Sequence, residues 1–163
     1  SNKFGTETFV SIDNASSFYT ELGIDPKLRI SKFDYERDLE SEDKLYQSLN
    51  LPSNYSVICE MEDGMIDKKY ISGEVINLHR LTDNFLNLSK IIENANEIHL
   101  VENSIALFVY HIQSINKMKN VPINLHAYAR KESHRRCYGP KCNNKFLNML
   151  KCPELENWNF IWK

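Results

Sequence analysis

Residues 92–107 read IENANEIHLVENSIAL. The stretch closes one helical pattern, passes through a short apolar strand from Glu97 to Val101, and opens a second helical pattern on Glu102, Asn103 and Ser104. A strand that runs directly into a helix leaves that helix's first backbone N–H groups pointing past the strand's carboxyl end. In parallel α/β folds, anions and nucleotides bind along that edge.

The same alternation extends to both sides. Upstream, Thr82 or Asp83 caps a helix that places Phe85, Leu88, Ile92 and Ala95 on one face, and a strand precedes it from Glu74 to Leu78. A still earlier strand is expected from Tyr55 to Met61, YSVICEM, where β-branched and apolar residues form a short run. Downstream, a helix from Ser104 to about Asn116 buries Ile105, Phe108, Val109, Ile112 and Ile115. Pro122 then leads into a strand from Ile123 to Tyr128, and a last strand is expected from Asn159 to Trp162. Before the first strand lies a helical lead, with one short helix from Asp13 to Leu22 and a second from Asp34 to Leu49. Strands alternating with helices close by right-handed crossovers into a parallel sheet. The expectation is an α/β fold, a three-layer Rossmann-like sandwich with a mostly parallel sheet. It would form a single domain over 1–163, with a helical lead at 13–50, a sheet core at 55–131 and 153–163, and a basic Cys/His insertion at 132–152.

With 163 residues, the chain is of a size that one core accommodates. Hydrophobic residues make up 42% and charged residues 26%, a globular balance that argues against disorder. The formal net charge of −2 argues against a nucleic-acid partner, because affinity for a phosphate backbone needs a strongly basic surface. No apolar run is long enough to span a bilayer. Cys59 sits in an apolar strand pattern as a free thiol, which favours a reducing, cytoplasmic compartment.

Residues with chemical potential gather at the carboxyl edge. Glu102, Asn103 and Ser104 at a helix start suit a diphosphate, although Asn and Ser also serve as ordinary caps. Lys68 and Lys69 on the loop after the first strand can neutralise the same anion, or simply be solvated. His126 and Arg130 lie toward the end of the fourth strand, while His79 and His99 read as strand histidines with local partners. His134, Cys137, Cys142 and Cys152 offer a weak metal set of the zinc type, with a disulfide (Cys137–Cys142 or Cys142–Cys152) or free thiols as the other states. Arg130, Lys131, Arg135, Arg136, Lys141 and Lys145 make the basic cluster around them. No P-loop, GxGxxG fingerprint or Ser–His–Asp order is present, and no cofactor is expected.

Five segments occur in a telling order: FYTELGIDPKLRISKFDYERDLESEDKLYQSLN, YSVICEMEDG, IENANEIHLVENSIALF, INLHAYARK and PELENWNFIW. Their succession resembles a family of bacterial and viral glycosyltransferase-like proteins, and through it the C-terminal, nucleotide-sugar-binding half of GT-B glycosyltransferases. The resemblance runs from about Phe18 to Trp162. Arg29, Arg37 and Asp38 match the family's early Arg-Asp motif, Glu102 and Ser104 its turn after the Ile-His strand, and His126, Tyr128 and Arg130 its His-x-Tyr-x-Arg strand. Cys59-Glu60-Met61-Glu62-Asp63 stands where the family shows His-Asp-Asp, and Asn103-Ser104-Ile105 where it shows Ser-Ser-Phe. The resemblance implies a nucleotide-sugar donor held by Glu102, Asn103, Ser104, Lys68, Lys69, His126 and Arg130. It further implies a glycan or other acceptor and an acceptor-binding domain upstream. Without activity, the same scaffold would be a non-catalytic α/β binding module.

Overall fold

The computed structural model describes residues 19, 21–25, 28, 32–60, 65–101, 103–114, 121–126, 128–129 and 158–161. Five strands form one parallel sheet: β1 (Tyr55–Cys59), β2 (Glu74–Asn77), β3 (Glu97–Leu100), β4 (Ile123–His126) and β5 (Trp158–Ile161), in the order β2-β1-β3-β4-β5. The helices described in full are α1 (Leu39–Ser48) ahead of the sheet, α2 (Ser89–Asn94) between β2 and β3, and α3 (Ser104–Ser114) between β3 and β4. The fold is Rossmann-like α/β, as the alternation in the sequence predicts.

Strand order decides which side each connection takes. The chain steps from β1 outward to β2, then back across β1 to β3 and onward to β4. Because right-handed crossovers that travel in opposite directions lie on opposite faces, the β1–β2 connection is separated from the two helical ones. Ser56 pairs with Glu97, Ile58 with His99, and His99 with Asn124, so these side chains share one face. The opposite face presents Tyr55, Val57 and Cys59 of β1, Ile98 and Leu100 of β3, and Ile123 and Leu125 of β4. Against this apolar face pack Ile91 and Ile92 of α2, Ala106, Phe108, Val109 and Ile112 of α3, and Leu45 and Tyr46 of α1. Across the polar face lies the β1–β2 connection, whose Ile66, Tyr70 and Ile71 cluster with Ile58, Val101 and Tyr128.

Several boundaries differ from the sequence expectation. Residues 33–38 are not helical, and α1 begins at Leu39. The preceding segment is used for packing instead: Phe33 stacks on His111 at 4.4 Å, and Tyr35 meets the edge of Phe108 at 5.5 Å and bonds Ser89 Oγ at 2.9 Å. Asp38 then caps α1, accepting the Ser41 N–H at 3.0 Å and the Ser41 hydroxyl at 2.6 Å. The helix expected from Thr82 or Asp83 is instead a 3-10 turn, Phe85–Leu88, followed by α2. Asn84 competes for the start by accepting the Leu86 N–H at 3.2 Å. β1 ends at Cys59, β4 ends at His126 before a turn closed by the Ala129 N–H on the His126 carbonyl at 3.1 Å, and β5 starts one residue earlier than expected. The expected helix at 13–22 falls mostly outside the described residues, and the insertion at 132–152 wholly so.

Candidate functional site

In this strand order the direction of winding reverses between β1 and β3, and the crevice at their carboxyl ends is where such folds bind ligands. Asn103 spans that crevice. Its Oδ1 accepts the Ala106 N–H at 2.9 Å, satisfying the first turn of α3, and its Nδ2 donates to Cys59 Sγ at 3.2 Å. Ser104 is exposed beside it. From β1, Glu60 turns back into the protein, where its Oε1 accepts the Ile66 N–H at 2.9 Å. Asn77 at the end of β2 accepts the Glu60 N–H at 3.4 Å and the His79 N–H at 3.0 Å. Burial pushes the Cys59 thiol above its ordinary value, with the Asn103 bond acting against that and Glu60 adding to it. A thiol so held stays protonated at neutral pH and serves as a packing group rather than a nucleophile.

A second polar constellation occupies the face opposite the helices. His99 Nδ1 and His126 Nε2 lie 2.8 Å apart, with both imidazoles 1% exposed. His126 Nδ1 lies 3.1 Å from the Tyr128 hydroxyl, which accepts the Asp67 N–H at 2.8 Å. At the other end, His99 Nε2 stands 3.4 Å from Glu97 Oε1. His99 Nε2 makes no hydrogen bond there, whereas that oxygen accepts the Ser72 N–H at 3.0 Å and the Ser72 hydroxyl at 3.0 Å, and lies 2.9 Å from Ser56 Oγ. The Tyr70 ring covers the pair, its centroid 5.7 Å from that of His126 and 6.2 Å from that of Tyr128. Burial pushes His99 below the ordinary imidazole value, against the opposing pull of Glu97. Burial raises Glu97, but the bonds from Ser72 and Ser56 and the nearby His99 outweigh it and hold the carboxyl below its usual range.

The residues singled out in the sequence therefore divide between two places. Asn103 and Ser104 start α3 at the crevice, with Asn103 doing the capping. Lys68 and Lys69 lie on a 3-10 turn, Lys68–Tyr70, in the segment that covers the polar face. There Lys69 Nζ pairs with Asp67 at 3.2 Å and sits 4.9 Å from the centre of the Tyr70 ring. His126 joins the buried pair. Glu102, Arg130, His134, Cys137, Cys142, Cys152 and Arg29 lie outside the described residues. Arg37 and Asp38 serve architecture: Asp38 caps α1, while Arg37 binds Glu42 through Nε at 2.8 Å and through a second guanidinium nitrogen, and binds Glu93 at 2.8 Å. Glu97, Tyr128 and Ser72 were not singled out as site residues. For Glu97 the signal was the alternation in EIHL, which puts it on one face with His99, whereas Ser72 and Tyr128 lie outside the strands and have no such signal.

No family model, curated protein or solved structure matches the chain.

Proposed function

We propose that this chain binds a nucleoside-diphosphate sugar at the carboxyl edge between β1 and β3 and serves the transfer of its sugar to a glycan or other acceptor. The observation that carries the reading is the reversal of strand order between β1 and β3, with α3 opening beside it at Ser104. A helix start directs backbone N–H groups and the positive end of the helix dipole at a bound diphosphate. The order of the sequence segments, similar to that of glycosyltransferase-like proteins, extends the reading from nucleotide to nucleotide sugar. Ser104 and the helix start would take the diphosphate, with Lys68, Lys69 and Arg130 as its cations and Glu102 near a ribose or sugar hydroxyl, while His126, expected beside it, is buried against His99 and Tyr128. Catalysis in such a site is the stabilisation of the departing diphosphate while an acceptor hydroxyl attacks the anomeric carbon.

One observation favours a non-catalytic binding module on the same scaffold. The Asn103 and Glu60 side chains at the crevice are already bonded within the protein. A thermal-shift panel of UDP, GDP, dTDP and CMP sugars separates the two readings. Ser104 is exposed, so Ser104→Trp fills the crevice mouth without disturbing the core. A donor at about a hundredfold its Kd stabilises the wild type by about 2.7 kcal/mol and leaves the variant unmoved. If no donor raises the melting temperature of folded protein, the nucleotide-sugar reading fails and the binding module stands.

A further inference from the structure

We propose that Asn103 is a positioning residue of the crevice, whose carboxamide, bonded to Cys59, holds the start of α3 against the end of β1. So held, the Ser104 and Ile105 N–H groups and the Ser104 hydroxyl are set to take one phosphate of the nucleotide. The inference rests on the nucleotide-sugar reading and changes the part of Asn103 in it, from a group that touches the donor to one that aims others at it.

The orientation of the carboxamide follows from its partners. The Ala106 N–H can only donate, so the side-chain oxygen must face it at 2.9 Å, and Nδ2 is thereby turned to Cys59 Sγ at 3.2 Å. The sulfur accepts. Cys59 is 1% exposed, and its own carbonyl receives the Val101 N–H at 3.4 Å. One buried residue at the end of β1 thus meets both the residue that follows β3 and the cap of α3.

Counting the donors at the helix start gives the consequence. The first N–H groups of a helix have no partner inside it. Here the Ala106 N–H goes to the Asn103 side chain and the Leu107 N–H to the Asn103 carbonyl at 3.3 Å. The Ser104 and Ile105 N–H groups remain, with no hydrogen bond among the described residues, and the Ser104 side chain is exposed beside them. Two N–H groups and a hydroxyl at the positive end of an 11-residue helix suit the oxygens of a single phosphate. Asn103 has neither end of its carboxamide left to join them. Its contribution is to fix their direction before the ligand arrives, since donors held in place lose less freedom on binding. Cys59 supplies the fixed point, because the cap bond alone leaves the carboxamide and the helix start free to move together relative to β1.

The test is a titration of UDP, GDP, dTDP and CMP in turn into the whole chain, followed by amide NMR, with Cys59→Ala and Cys59→Ser beside the wild type. In the wild type the Ser104 and Ile105 amide protons should move downfield on binding, while the Asn103 Nδ2 protons do not. Cys59→Ala removes the acceptor and should weaken binding about threefold or more, with the Ala106 amide still protected from exchange. Cys59→Ser keeps an acceptor at the same place and should bind as the wild type does. Equal binding by the wild type and Cys59→Ala overturns the positioning role and leaves the nucleotide reading intact. A Cys59→Ser variant as weak as Cys59→Ala assigns the loss to packing and overturns it too. So does a downfield movement of the Asn103 Nδ2 protons in the wild type, a readout that stands even if a variant does not fold. If no nucleotide moves any amide of the folded wild type, the nucleotide reading itself fails, and this role with it.

Discussion

The two faces of the sheet are built from the same strands by opposite chemistry. On one, Tyr55, Val57, Ile98, Leu100, Ile123 and Leu125 meet three helices in a continuous apolar core. On the other, Ser56, Glu97, His99, Asn124 and His126 alternate with them, and the covering segment is held by directional bonds as well as by Ile66 and Tyr70. Apolar burial is additive and indifferent to pH, whereas a hydrogen-bonded chain depends on the protonation of every member. The helical face should therefore set how stable the protein is, and the polar face the conditions under which that stability holds.

The largest expected effect comes from truncation on the helical face. Ile98 is fully buried between β1 and β4, so Ile98→Ala should cost about 4 kcal/mol of unfolding free energy, by lost transfer energy and a residual cavity. Asn124→Ala, on the polar face and bonded to the exposed Asn159 of β5, should cost about 1 kcal/mol or less. Urea denaturation of both variants measures the contrast. Equal losses would show that the polar face contributes as much to stability as the core does.

Arg37→Met probes the same side through charge. Glu42 is 1% exposed and meets Arg37 in a two-point contact, and Arg37 also reaches Glu93 in α2. The paired carboxylates hold the guanidinium firmly charged, with its proton affinity raised chiefly by Glu42. Removing it leaves a buried carboxylate without its counter-charge, at an expected cost of about 3 kcal/mol. Arg37→Met together with Glu42→Leu should recover most of the loss, because the unpaired charge rather than the missing bridge is the main penalty. If the double variant is no better than the single one, the pair itself is what joins α1 to α2.

Much of this architecture was legible in the sequence. Apolar runs at YSVIC, EIHL and INLH, each entering or leaving a helical pattern, carried the strand count and the parallel sheet. The helix starts were less legible. From Phe33 to Asp38 local propensity allows helix, but Phe33 and Tyr35 gain more by packing on His111 and Phe108, and propensity yields to that tertiary contact. For the candidate site, Asn103 and Ser104 were readable as a helix start because capping is local. The buried chain was not. Glu97 and His99 are near in sequence, but His126 and Tyr128 reach them only through the β3–β4 register, and Ser72 and Asp67 only through the path of the covering segment.

The smallest expected effect separates the faces most sharply, because it needs no substitution. On the helical face, burial raises Tyr55 and Cys59 above their ordinary values, so neither titrates as the solution is acidified. On the polar face, His99 is lowered in the folded state, chiefly by burial. The unfolded chain then takes up the proton first. Stability from this residue is complete above the unfolded value of 6.5 and is lost as pH falls from there through the lowered folded value. Glu97 is also lowered, against the effect of its burial, by its bonds to Ser72 and Ser56 and by His99. Its contribution is complete above 4.5 and is lost as pH falls through its own lowered value, so the acid loss should come in two steps. Urea midpoints measured across this range should show an upper step that disappears in His99→Gln and a lower step that shrinks in Glu97→Gln. Each should be smaller than the loss from Ile98→Ala. A wild type whose midpoint is flat below pH 6.5 would mean that His99 takes up its proton in the folded protein as readily as in the unfolded chain, so that its burial does not disfavour the charge.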